Sequence, residues 1–175
     1  IEGVELTQPG RSLLVEEYFS YGCIHCKNFD PELEAWLTTL PEDVEFARKP
    51  TAFSRTWSIL AQAYYALEKA EALEGNHEQL FKGIHNGGRM FNSGQDIADY
   101  LDSQALPASE FMRAFNSRDV ARRLNRATED TRRAGIRAVP TLVVAGKYRV
   151  GMTHGAQRAL EVVEHLLEQE RALLM

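Results

Sequence analysis

The apolar positions in the first third of the chain predict a strand, a helix and a second strand. In residues 13–19, apolar side chains occupy both odd and even positions, which is typical of a strand buried on both faces. Residues 44–47 form a second strand pattern. Between them, apolar side chains recur at helical spacing and form one face of an amphipathic helix: Phe29, Leu33, Trp36, Leu37 and Leu40. Strand, helix and strand form a βαβ unit, so we expect the two strands to be parallel.

The middle of the chain is helical in pattern. From about residue 55 to residue 134 several helical stripes follow one another, separated by breaks that contain glycine. Ser117 is the predicted N-cap of a long helix, and Gly135 is placed directly after the end of that helix. Because the segment is too long to be a loop, we expect a helical domain over residues 55–134.

Strand patterns return after this segment. Residues 141–144 and 148–150 are predicted to form an antiparallel hairpin, joined by a tight turn at residues 145–147. An amphipathic helix ends the chain. The expected fold is therefore α/β, with a βαβ half and a ββα half. Residues 1–54 and 135–175 form one domain, and the helical domain of residues 55–134 is inserted between the two halves.

The composition is that of an ordinary globular protein and excludes several classes. The chain has 175 residues and a formal net charge of -5, and it contains no apolar run long enough to span a membrane. The arginines between Arg113 and Arg137 are interspersed with acidic residues, so we interpret them as a solvated helix face and expect no nucleic-acid binding. No signal-peptide pattern begins at Ile1, which is what a mature chain would also show.

The chemistry that this chain can perform centres on its two cysteines. Cys23 and Cys26 form a Cys-x-x-Cys motif where the first strand pattern meets the first helix pattern. At a helix start the unpaired N–H groups and the dipole stabilise a thiolate, by up to ~2 kcal/mol, which lowers a thiol pKa by about 1.5. His25 adds to this stabilisation. We therefore expect an exposed, attacking sulfur at Cys23 and a buried, resolving sulfur at Cys26.

Two other interpretations of the cysteine pair stay open at this point. A structural disulfide would close a very short loop and so remove little entropy from the unfolded chain. A zinc half-site would need partners, but the sequence has no second Cys-x-x-Cys, and His77, His85, His154 and His165 lack the spacing of a ligand pair. Redox activity is favoured, and no metal is expected.

Taken together, several features resemble the DsbA-like thiol:disulfide oxidoreductases of the thioredoxin superfamily. The motif Cys23-Ile24-His25-Cys26 lies at the strand-to-helix junction, and Pro31 follows where thioredoxins have a helix-kinking proline. Val139-Pro140-Thr141 resembles the cis-proline loop before the hairpin, and the helical insertion is similar to that of the DsbA branch. Ile24 departs from the family, which usually has proline there.

The resemblance implies what the protein does and where it acts. A DsbA-like protein is a monomeric periplasmic enzyme without a cofactor that donates its disulfide to reduced, newly secreted polypeptides. A quinone-linked membrane protein, DsbB, then reoxidises it. Two alternatives remain: a dithiol reductase or isomerase on the same scaffold, and a redox-silent peptide-binding or chaperone module.

The resemblance also assigns roles to individual residues. Ile24 and His25 tune the redox couple, and Val139 with Pro140 offers a strand edge to the substrate peptide. Glu17 and Lys49 lie where DsbA proteins hold a buried acid–lysine pair, and such a pair would satisfy a carboxylate in a buried strand. Other residues near the motif are expected to belong to the core more than to a groove: Tyr18, Phe19, Tyr21 and Met152.

Overall fold

The structure, a computed structural model, describes residues 13–101 and 106–174 and follows the predicted order of elements. Within these residues the strands are β1 (Leu13–Phe19), β2 (Val44–Pro50), β3 (Thr141–Val144) and β4 (Tyr148–Gly151). The helices are α1 (Ile24–Leu37), α2 (Arg55–Lys69), α3 (Leu73–His85), α4 (Gly94–Leu101), α5 (Ala108–Phe115), α6 (Arg118–Arg133) and α7 (Ala156–Leu173). None of these helices is long and apolar enough to cross a membrane.

The four strands form one sheet in the order β2-β1-β3-β4. β1 and β3 are antiparallel, and Val15 lies opposite Val144. β3 and β4 form the predicted antiparallel hairpin, so this prediction is confirmed. Ala145 and Gly146, the two central residues of the β-turn, both have positive φ, 51° and 65°, as a type I′ turn requires. The N–H of Lys147 closes this turn on the carbonyl of Val144 at 2.9 Å.

The first of two compact units contains the sheet. Among the described residues it comprises 13–19, His25–Lys49 and 131–174. Its main core lies on the sheet face that Leu13 and Val15 share, where α1 and α7 contribute further apolar side chains. Because successive side chains of a strand point to opposite faces, Tyr18 lies on the other face, where it packs with Ile136 and Val143.

The second unit is helical and comprises Ser20–Ile24 and Pro50–Asp130. It contains the helices of the segment that we predicted as an inserted domain, and the domain limits at residues 54 and 134 stay a prediction. Ser117 accepts a hydrogen bond from the N–H of Val120 at 3.3 Å, which confirms it as the N-cap of α6.

The C-terminal end of α6 also follows its prediction. Gly135 has a φ of 62°, and the N–H of Ile136 reaches the carbonyl of Thr131 at 3.0 Å. The N–H of Gly135 binds the carbonyl of Arg132 at 3.1 Å. This pair of hydrogen bonds is a Schellman motif, in which the residue after the helix must adopt a left-handed conformation that glycine accepts without strain.

Candidate active site

The segment that connects β1 to α1 is a tight turn that ends at Cys23. The N–H of Cys23 donates to the carbonyl of Ser20 at 3.1 Å, and the N–H of Gly22 donates to the hydroxyl of the same serine at 3.1 Å. α1 begins at Ile24, so Cys23 is the residue directly before the helix. The predicted position of the motif, a thiol at a helix start, is therefore observed.

The two cysteines differ in exposure, but less than we predicted. Cys23 is 9% exposed and Cys26 is 0% exposed. The prediction of an exposed sulfur at Cys23 is wrong, although Cys23 is the more accessible of the pair. The physical reason is the turn, because it holds Cys23 beside buried neighbours, Ser20 and Tyr21, which are 2% and 1% exposed.

Gly22 makes room for an aromatic side chain within the second unit. A Cβ atom on Gly22 would lie 2.4 Å from Nε1 of Trp57, so only glycine allows this approach. Phe53 stacks on Trp57 with ring centroids 5.7 Å apart. Ile24 and Phe53 are 44% and 48% exposed. The residue that replaces the usual proline of the motif is thus an apolar side chain open to solvent.

Tyr21, in the same turn, is held by two histidines of α3. Its hydroxyl group lies 2.8 Å from Nδ1 of His77, and its backbone carbonyl lies 2.8 Å from Nε2 of His85. Its ring also meets Phe81 edge to face at 5.0 Å. Sequence reasoning considered these histidines only as zinc ligands. The available signal was their spacing, since residues at i, i+4 and i+8 share one face of a helix.

A second cluster, in the first unit, joins one arginine to three carboxylates. Arg48 Nε lies 2.9 Å from Glu17 Oε2, and its Nη2 lies 3.2 Å from Asp30 and 2.7 Å from Glu34. Glu17 and Asp30 are buried. The predicted pairing of Glu17 with Lys49 is corrected: the cation at Glu17 is Arg48.

The correction has a simple physical cause in strand geometry. Side chains alternate between the two faces of a strand, so a neighbouring residue in β2 points the other way. Arg48 shares a face with Phe46, and its guanidinium lies 5.4 Å from the centre of that ring. Lys49 instead pairs with Glu16 at 3.1 Å. Matching Glu17 to the core parity of Val44 and Phe46 would have found Arg48.

Burial gives Glu17 unusual acid–base behaviour. Desolvation raises the pKa of its carboxyl group to about 7, against the opposing attraction of Arg48 and with a further contribution from Asp30. Burial disfavours the charged guanidinium of Arg48, but the facing carboxylates outweigh it and raise its pKa. The cluster therefore holds a carboxyl group that can gain or lose a proton near neutral pH.

A groove of about 460 Å³ runs along the first unit between α1 and the loop before β3. The Val139–Pro140 peptide bond in this loop is cis, as the resemblance implies. Met152, expected in the core, is half-buried and lines the groove, whereas Tyr18, Phe19 and Tyr21 lie in the core as expected. The residues lining the groove are His25, Asn28, Phe29, Glu32, Ala138, Val139, Pro140, Thr141, Gly151, Met152, Thr153 and Ala156.

The remaining charged features lie on the surface. Every arginine from Arg113 to Arg137 is exposed, as predicted for a solvated helix face. His154 is exposed as well. These residues therefore contribute nothing to the buried clusters described above.

Fold and site together define the class of this protein. A Cys-x-x-Cys motif at the start of α1, a cis-proline loop directly before β3 and a helical segment inserted in the chain between β2 and β3 are the features of a thioredoxin-like protein of the DsbA type. The family model of the DSBA-like thioredoxin domain matches residues 14–167. The chain therefore belongs to the DSBA-like family.

Relatives and solved structures agree with this assignment over nearly the whole chain. The thiol:disulfide interchange protein DsbA of Azotobacter vinelandii is 35% identical over 171 residues, which cover 97% of this chain and 79% of the relative. A crystal structure of Pseudomonas aeruginosa DsbA has a TM-score of 0.92 at 31% identity and covers 97% of this chain and 89% of that chain. DsbA from Xylella fastidiosa has a TM-score of 0.90 at 28% identity, covering 98% and 92%.

Proposed function

We propose that this protein is a thiol:disulfide oxidoreductase that donates a Cys23–Cys26 disulfide to reduced proteins. The observation that carries the proposal is the position of Cys23 directly before α1, as the more accessible of the two cysteines. Membership of the DSBA-like family and relatives that are named thiol:disulfide interchange proteins support it.

The reaction begins with the protein in its disulfide form. A substrate thiolate attacks the sulfur of Cys23, the Cys23–Cys26 bond breaks, and Cys26 leaves as a thiolate. A second substrate thiolate then attacks the substrate sulfur of the mixed disulfide and expels Cys23. The substrate gains a disulfide and the protein becomes a dithiol. Because a stabilised thiolate is a good leaving group, the helix start at Cys23 favours this direction.

Glu17 and Arg48 supply the proton chemistry in this proposal. When Cys26 leaves, its thiolate needs a proton, and a buried carboxyl group with a pKa of about 7 can provide one. Arg48 keeps Glu17 in place through the 2.9 Å ion pair. Lys49, which the resemblance assigned to this role, forms an ion pair with Glu16 instead.

Substrate binding is assigned to the groove at Val139 and Pro140. Val139 and Pro140 line this groove together with Phe29 and Met152, whose side chains offer apolar surface to an extended peptide. His25 lies on the same groove, so it is available both to the substrate and to the redox couple. Ile24 replaces the proline of the family motif and tunes the potential of the couple.

Family membership extends the proposal to the cellular setting. The substrates are unfolded or reduced secreted polypeptides, and the compartment is the periplasm. A DsbB-like, quinone-linked membrane protein reoxidises the dithiol, and the enzyme acts as a monomer without a cofactor. These assignments rest on the resemblance to DsbA proteins.

Oxidative refolding of a reduced, unfolded substrate tests the proposed function. The disulfide form should restore substrate activity, and Cys23→Ala should abolish this, because no Cys23–Cys26 disulfide can form for the substrate thiolate to attack. Cys26→Ala should accumulate a mixed disulfide on mixing with an oxidised substrate. Faster reduction of insulin than oxidation of the refolding substrate would indicate a reductase instead. Unchanged function of Cys23→Ala would indicate a redox-silent binding module.

A further inference from the structure

Two histidines of α3 bind opposite ends of one residue in the turn that precedes Cys23. His77 meets the side-chain hydroxyl group of Tyr21, and His85 meets its backbone carbonyl, each at 2.8 Å. Tyr21 is 1% exposed, and both histidines are partly buried, so both hydrogen bonds are at least partly shielded from water. We name Tyr21, His77 and His85 the histidine clamp.

The chemistry of the two contacts fixes their direction in part. A carbonyl oxygen only accepts hydrogen bonds, so Nε2 of His85 must carry the proton and donate it to Tyr21. The contact between the hydroxyl group of Tyr21 and Nδ1 of His77 forms in either direction, because both groups donate and accept. One histidine thus fixes the backbone of Tyr21, while the other fixes its ring.

The clamp acts on Cys23 through a short covalent path. Tyr21 lies inside the turn that the N–H of Cys23 closes on the carbonyl of Ser20 at 3.1 Å. Rotation of the peptide plane at the Tyr21 carbonyl would shift Gly22 and then Cys23. On Gly22 the indole of Trp57 leaves no room for a Cβ atom, which restricts the turn from a second side.

Packing alone does not explain two histidines at these positions. Phe81 already meets the ring of Tyr21 at 5.0 Å, and an apolar side chain at either histidine position would bury the same ring surface. The two ring nitrogens instead satisfy two polar atoms of a single residue. Two hydrogen bonds to the residue before Gly22 and Cys23 would fix the position of this turn, as a positioning role requires.

We propose that His77 and His85 are positioning residues that set the redox equilibrium of Cys23 by fixing the turn through Tyr21. The inference rests on the proposed function and adds to it a device that governs how oxidising the couple is. A fixed turn keeps the sulfur of Cys23 at the start of α1, where the thiolate is stabilised. A loosened turn lowers that stabilisation, and the dithiol form becomes less favoured.

The test measures the equilibrium constant between the protein and glutathione, in the direction that forms the protein dithiol. His85→Leu, His77→Leu and Tyr21→Phe should each lower it by about 2- to 10-fold, the range that one net hydrogen bond supports. His85→Gln should stay close to wild type, because its amide N–H replaces the Nε2 donor. The midpoint of the Cys23 thiolate titration, followed by absorbance, should move to higher pH in the same variants.

Two matched controls separate the clamp from ordinary stability. Tyr100→Phe removes another tyrosine hydroxyl group that binds α3, at the carbonyl of Gln79 at 3.0 Å, and His165→Leu removes an exposed histidine of α7. Both should leave the equilibrium constant unchanged. Urea melts of the oxidised and reduced forms show whether a variant is merely destabilised.

Each other outcome contradicts the inference in a recognisable way. An unchanged equilibrium constant in Tyr21→Phe and His85→Leu overturns it, even if both forms of these variants unfold more easily. An equal shift in His85→Gln and His85→Leu overturns the role of the Nε2 donor. If wild type forms no disulfide with glutathione at all, the proposed function fails first, and this result is distinguishable because it precedes any comparison of variants.

Discussion

Among the single residues, Glu17 is a buried carboxyl group whose charge the fold must balance. It is 2% exposed, its pKa is raised to about 7, and its cation is Arg48. A carboxyl group with a raised pKa favours folding while it is protonated. The stability that the protonated group contributes is fully present below about pH 4.5, the ordinary pKa of a glutamate. It is lost as the pH rises through about 7, the pKa in the folded protein.

Glu17→Gln should therefore change how stability depends on pH. The free energy of unfolding of wild type, measured against this variant, should fall by about 3 kcal/mol between pH 4.5 and pH 7.5, at ~1.4 kcal/mol for each pH unit of pKa shift. Urea melts across this range measure the difference. Glu16→Gln, on the opposite face of β1, is the matched control for replacing a glutamate of this strand. A difference that rises with pH would mean that Glu17 is held as a carboxylate.

Gly22 provides a second prediction for a single residue. Gly22→Ala should lower the free energy of unfolding by about 1–3 kcal/mol, because the new methyl group overlaps the indole of Trp57. Gly151→Ala is the matched control, since a Cβ atom there meets nothing within 4 Å. Thermal or urea melts of both variants give the comparison. Equal stability of the two variants would show that the indole moves aside without cost.

Among the elements, α1 has one face in the core and another along the groove. Phe29 and Leu33 pack in the core of the first unit, whereas Glu32, one turn beyond Asn28, is exposed at the groove. The groove is otherwise lined mainly by apolar and uncharged side chains, together with His25. A peptide bound along this face would meet a negative charge at Glu32.

The charge of α1 at the groove should select among substrates. Wild type should oxidise a dithiol peptide carrying lysine beside its cysteine about 2- to 5-fold faster than one carrying glutamate, the range expected for an exposed ion pair. Glu32→Lys should reverse the order, and the preference should weaken in high salt. Glu45→Lys, exposed on β2, is the control. Equal rates for both peptides with wild type would exclude Glu32 from the substrate path.

The elements also show what a sequence can and cannot predict here. Local signals sufficed for the N-cap at Ser117 and the left-handed residue Gly135, because both depend on hydrogen bonds within one helix end. The cation at Glu17 and the contacts of Tyr21 join residues far apart in the chain. Such contacts depend on strand register and helix placement, and local patterns do not contain that information.

For the whole molecule, the proposed function predicts that the redox state of the cysteine pair affects the stability of the fold. Contacts that stabilise the thiolate of Cys23 act only in the dithiol form, so the reduced protein should be the more stable one. Urea melts of both forms should show a later transition for the reduced protein. Cys23→Ser is the control, because it cannot form the Cys23–Cys26 disulfide. Its urea transition should be the same under oxidising and reducing conditions. A later transition for the oxidised form would mean that the fold favours the disulfide.

The reduction potential of the Cys23–Cys26 couple, measured by equilibration with glutathione, tests the oxidant role most directly. Cys23 lies directly before α1 and is fixed there by the turn that precedes it. We therefore predict a potential above that of the cytosolic glutathione pool, which is about -220 to -260 mV. Such a couple passes its disulfide on to reduced proteins. A potential below that range would contradict the proposed role, because the disulfide would then be too stable to pass on and the dithiol form would reduce other disulfides instead.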